Sequence, residues 1–177
     1  MDEPDQPEPL SSLAAPPLSA EILDPSDLLK PSQMAWLSDA AARVLAIAAD
    51  RFSVHGQVRA RVVNDEAMSA AHLQYSNIAG TTDVLTFDLS ESECEIDADL
   101  FVCVDEAGRR AAEMGHEPER ELLLYVVHGL LHCLGHDDHD PEAYAVMHAL
   151  EDELLSAAGI GATFHADAKG AREGPDG

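Results

Sequence analysis

The stretch EPERELLLYVVHGLLHCLG, residues 117 to 135, constrains this chain more than any other. Leu123, Leu124, Val126, Val127, Leu130, Leu131 and Leu134 wrap most of the way around a helix, the pattern of an element buried on nearly every side. Within it, His128 and His132 stand four residues apart. Residues i and i+4 of a helix lie one above the other, so both imidazoles reach toward one point. Two imidazoles buried together need a partner, and a single ion supplies one. This is a spacing that zinc favours.

Gly135 ends the apolar run, and a glycine there takes the left-handed conformation that turns the chain back. A residue just beyond it can return to the histidine pair as third ligand; by position the candidates are His136, Asp138 and His139. Three protein ligands leave one coordination position open, the pattern of a catalytic rather than a structural zinc. Zinc peptidases of the HExxH type carry a glutamate base after the first histidine, where this chain has Gly129. An ordinary metallopeptidase is therefore disfavoured.

The surrounding pattern predicts an α/β (α+β) domain with a small mixed sheet covered by helices. SQMAWLSDAAARVLAIAADRF has helical spacing and is rich in alanine. QVRARVVND alternates as a strand, with Arg59 and Arg61 on the face opposite Val58 and Val62. EAMSAAHLQY reads as a short helix, and TTDVLTFDLS and ADLFVCVDE as strands. The last of these runs into the helix EAGRRAAEMGH. PEAYAVMHALEDELLSAAG forms a final helix between Pro141 and Gly159. Residues 1–30, mixing proline with acids, read as a disordered leader from which a short apolar piece such as Ile22–Leu29 can still dock. Residues 31–164 make one domain, and 165–177 a flexible tail.

Charge bears on partners. The 34 acidic against 10 basic residues give a net charge of −24, which argues against tight unaided binding to naked nucleic acid. Three cysteines without a CxxC pair argue for reduced thiols and a cytoplasmic protein. The acidic start lacks a secretory signal, and no apolar run reaches the length of a membrane span.

HGLLHCLGHDDHD resembles the HGxLHLxGYDH signature of the YbeY proteins, rRNA maturation factors described as metal-dependent endoribonucleases. VRARVVNDEAMSAAHLQY, TTDVLTFDL, ADLFVCVDEAGRRAAEMGH and MHALEDELL follow the family's order and spacing, so the likeness runs from about Val58 to Leu155. The resemblance implies a fold related to metzincin-like metalloproteins and one zinc-type ion on three residues. It also implies hydrolysis of RNA phosphoester bonds, small-subunit 16S rRNA 3′ end maturation and ribosome quality control. The partners it implies are rRNA, the small ribosomal subunit and assembly proteins, with no membrane and no DNA.

Two departures stand out. The family's third histidine falls at Asp138, ten places after His128; His139 lies one place later. Asp138 keeps the register and carboxylate oxygen ligates zinc, so Asp138 is the preferred third ligand and His139 the alternative. His136 replaces the family tyrosine and Asp137 matches its aspartate; either is a candidate partner for orienting an imidazole. An arginine that often follows the family's upstream tyrosine is here Ser76, leaving Arg59, Arg61, Arg109 or Arg110 to supply positive charge to RNA. Cys133 is expected to point off the metal face, Cys103 to be a core strand residue, and His148 to be surface or core. Thr82 and Asp83 either line the cleft or cap a turn. Against the endoribonuclease stand two other readings: a non-enzymatic assembly factor with a structural zinc, or another metallohydrolase.

Overall fold

The computed structural model describes residues 17–161. Its elements are β1 (Ser19–Leu23), α1 (Pro31–Phe52), β2 (His55–Val63), α2 (Asp65–Ser76), β3 (Val84–Asp88), β4 (Glu95–Cys103), α3 (Val104–Met114), α4 (Pro118–Cys133) and α5 (Pro141–Ala157). The four strands form one mixed sheet in the order β1-β2-β4-β3. β1 and β4 flank β2 in parallel, and β3 runs antiparallel along β4 as the far edge.

Strand alternation divides the sheet into two unlike faces. Val58, Ala60 and Val62 of β2 and Ile96, Ala98, Leu100 and Val102 of β4 are buried in one core with α1 and α4. α1 contributes Leu37, Ala40, Ala41, Val44, Leu45 and Ala48, a stripe at helical spacing whose small residues allow close approach. The opposite face carries Arg59, bound to Asp97 and Asp99 of the neighbouring strand. A smaller apolar cluster of Val63, Met68 and Cys103 seats α2 against that side. The mixed sheet and its helical cover agree with the expected fold class.

The segment read as leader contains structure. Ser19–Leu23 pairs with Gln57–Arg61, and Leu18, Ile22 and Leu29 are buried. Asp24 holds the following turn by accepting the Leu28 and Leu29 amides at 2.9 and 2.8 Å. The stretch adds a strand through backbone pairing and buries only a few widely spaced apolar side chains among prolines and acids, which is why its composition looks unstructured. Most of the expected leader, and the whole expected tail, lie outside the described residues.

α4 is the central helix. Pro118 opens it, and Glu121 through Val127 are all buried, with Gly129, Leu130 and Leu131 beyond them. Its close follows from Gly135, whose φ of +93° lets the His136 amide return to the Leu131 carbonyl at 3.0 Å. α5 begins on Asp140, whose carboxylate caps the Ala143 amide at 2.8 Å. The turn at 134–140 is thus fixed at both ends. Among the described residues, no helix is long and apolar enough to cross a membrane.

Candidate metal centre

The turn brings one carboxylate to the histidine pair. His128, His132 and Asp138 each present a ligand atom, and all three atoms lie within 4.8 Å of one another. His128 Nε2 is 3.0 Å from His132 Nε2 and 3.6 Å from Asp138 Oδ2. Two ligands of one tetrahedral zinc at ~2.0–2.1 Å stand about 3.3 Å apart, so these separations fit a single small ion. His139 is exposed and donates its amide to Asp137 Oδ1, so the geometry gathers Asp138 and leaves His139 outside.

Hydrogen bonding fixes which nitrogens face inward. His132 Nδ1 is 3.0 Å from the His136 carbonyl oxygen, which only accepts, so Nδ1 carries the proton. His128 Nδ1 is 2.7 Å from Glu151 Oε1, and the two neighbouring histidines hold the Glu151 carboxyl below its usual range against the opposing effect of burial. With both Nδ1 positions protonated, two Nε2 lone pairs face each other at 3.0 Å. That contact is repulsive unless a proton or a cation lies between them. The donor set therefore fits a divalent ion on chemical grounds.

The two imidazoles differ electrostatically. Burial works to lower the pKa of His128, but the Glu151 bond and the charges of Glu151, Asp83 and Asp138 outweigh it and the net shift is upward. Burial and the charge of His128 push His132 down.

Gly129 has a packing explanation. A Cβ there would lie 2.7 and 3.0 Å from the Leu100 methyls and 3.2 Å from Thr86 Oγ1. The position that carries a glutamate in HExxH peptidases here faces the Leu100 and Thr86 side chains of β4 and β3, which would have to shift to admit one.

The structure distributes the remaining sequence candidates unevenly. His136 contributes its backbone carbonyl, not its side chain, to orienting an imidazole; its ring stands edge-on to Phe52. Asp137 is exposed and bonds the His139 amide rather than an imidazole. Arg59 and Arg61 lie on the sheet face opposite α4, and Arg59 is committed to Asp97 and Asp99, so neither reaches the histidines. Arg109 is held by Asp65 and Glu106. Arg110, paired with Glu106, lines a cavity of about 380 Å³ with His72, Thr82 and Asp83. Asp83 accepts the Val84 amide at 2.7 Å, as a turn-capping residue does, and lines this cavity rather than the histidine pair. Burial packs Cys133 against the core and pushes its thiol up to about 12, and Cys103 is a fully buried strand residue.

Sequence reasoning missed Glu151. It sits on the buried stripe of α5 with Met147, Leu154 and Leu155, and it is wholly inaccessible to solvent. A carboxylate at a core position of an amphipathic helix was the signal that could have found it. His148 is also more engaged than its position suggested, since its Nδ1 lies 2.7 Å from Glu151 Oε2.

Two imidazoles set edge-on to each other beneath a four-stranded mixed sheet, with a carboxylate returned by a glycine-stopped turn, define a candidate single-ion metalloprotein of the α/β class. The model of the family Endoribonuclease YbeY matches residues 29–159, and the chain belongs to that family. It is 35% identical over 121 residues to Endoribonuclease YbeY of Cutibacterium acnes, covering 62% of this chain and 78% of that one. The YbeY of a Nocardioides species is 36% identical over 119 residues, covering 61% and 80%. Among solved structures, the solution structure of TM1509 from Thermotoga maritima matches with a TM-score of 0.53 and 26% identity, covering 77% of this chain and 89% of that chain.

Proposed function

We propose that this chain is a metal-dependent endoribonuclease of rRNA processing, with His128, His132 and Asp138 holding one zinc-type ion. The observation that carries the metal site is the face-to-face pair of Nε2 atoms beside Asp138 Oδ2. Family membership carries the reaction class. Two imidazoles and one carboxylate are an established catalytic donor set for zinc. An ion bound there supplies Lewis-acid stabilisation of the charge that develops on the scissile phosphate.

The chain's own residues do the positioning. The His136 carbonyl and the Glu151 carboxylate hold the two rings with Nε2 inward, and Gly135 delivers Asp138. The cavity of His72, Thr82, Asp83 and Arg110 offers polar groups to an RNA strand. Single-stranded RNA is the substrate class in this reading, as at the 3′ end of the small-subunit 16S rRNA precursor and in ribosome quality control. The large negative charge supports delivery to RNA through assembly proteins of the small subunit, and in this reading the protein works in the cytoplasm.

The test is cleavage of a small-subunit rRNA precursor by zinc-loaded protein, compared with D138A. Losing an outer partner of a metal ligand costs 10–100-fold, so removing the ligand itself is expected to cost more than ~100-fold. Equal cleavage by both proteins would overturn the assignment of the site.

A further inference from the structure

The carboxylate of Glu151 lies between two imidazoles. Oε1 is 2.7 Å from His128 Nδ1 and Oε2 is 2.7 Å from His148 Nδ1, and the residue has no solvent exposure. Both histidine side chains are themselves largely covered, at 14% and 16% exposure. The His148 ring packs on Tyr144 with centroids 3.9 Å apart, so it is anchored on two sides. A buried carboxylate can only accept, so each ring puts its proton on Nδ1. For His128 this turns the Nε2 lone pair toward His132 and Asp138.

Charge gives the string a purpose. Two neutral imidazoles and one aspartate leave a divalent ion with one uncompensated positive charge. Glu151 is the buried anion that balances it, one residue beyond the ligands. An anion without solvent needs donors to stay ionised and oriented, and His148 supplies the donor for the outer oxygen.

We propose that His148 is a positioning residue for the metal centre, acting through Glu151. It pins Oε2 so that Oε1 holds the His128 ring with Nε2 directed at the ion. This rests on the reading that His128, His132 and Asp138 bind the metal.

Two substitutions separate the donor from the ring. H148N keeps an N–H near the place of Nδ1 and loses the ring; H148F keeps a ring against Tyr144 and loses the donor. Full-length wild type and both variants are stripped of metal and titrated with zinc against a chromogenic chelator, and the melting temperature of each apo-protein is recorded. H148F is expected to bind zinc 10–100-fold more weakly, and H148N to recover most of that loss. H148A is read in the same way as H148F should the larger ring prevent folding. The proposal is overturned if H148F binds zinc as tightly as wild type, whatever its melting temperature, or if H148N is weakened as much as H148F. Wild-type protein that binds no zinc would instead remove the metal site itself, and this inference with it.

Discussion

Gly129 of α4 rests directly on Leu100 of β4: a methyl group in place of the glycine hydrogen would lie 2.7 Å from Leu100 Cδ2. The contact that draws the histidine helix onto the sheet is also the one that a peptidase glutamate would have to shift. Overpacking of this kind costs about 1–3 kcal/mol, offset by about 1 kcal/mol of better helix propensity. G129A is therefore expected to lose about 1 kcal/mol in urea unfolding. G129E, which buries an unpaired charge, is expected to lose about 3 kcal/mol or more and to gain no peptide cleavage. A stable G129E protein would show that the helix can lift from the sheet.

The turn after Gly135 brings the Asp138 carboxylate to the histidine pair and leaves His139 exposed. D138A is expected to lose zinc at micromolar concentrations, while H139A binds like wild type in the same chelator competition. Because imidazole also ligates zinc, D138H is expected to keep the ion. Loss of zinc by H139A with retention by D138A would reverse the assignment.

How much of this was legible in the sequence varied by element. α4 was readable because apolar residues surround two histidines at one-turn spacing and a glycine closes the run. β1 was not, since only Ile22 of its five residues is buried and its support is the backbone of β2. β4 begins at Glu95, earlier than ADLFVCVDE suggested, because Glu95 and Asp97 look like loop residues until Arg59 is found beside Asp97. The choice of third ligand depends on the path of three residues after a glycine, which spacing alone does not fix. Glu151 needs tertiary structure to explain it: only the packing of α5 on α4 brings it to His128.

The thiols give a further prediction. Burial raises Cys103, and it holds the Cys133 thiol at about 12, while Cys94 is exposed. Since the thiolate is the reactive form, native protein at pH 8 is expected to take up one equivalent of iodoacetamide, and denatured protein three. Mass spectrometry of peptides reads the site, and rapid native labelling at Cys133 would contradict the packing of α4.

Asp65 ties α2 to α3. Arg109 grips its carboxylate through two bonds of 2.8 Å and holds the pKa well below the usual carboxylate range. A folded-state value lower than the unfolded one means the contribution is present above the unfolded pKa of about 3.9 and is lost as pH falls toward the folded value. The stability difference between wild type and D65N is expected to stay constant from pH 7 to 5 and to shrink below pH ~4. Solvent weakens this half-exposed pair, so the difference is small. A difference that grows on acidification would contradict it.

The central claim is a single ion on three named side chains, and anomalous diffraction at the zinc edge from crystals of zinc-loaded protein tests it most directly. The account predicts one strong peak per chain, ~2.0–2.2 Å from His128 Nε2, His132 Nε2 and an Asp138 carboxylate oxygen. A peak bound by His139 in place of Asp138, or no peak between the two imidazoles, would contradict it.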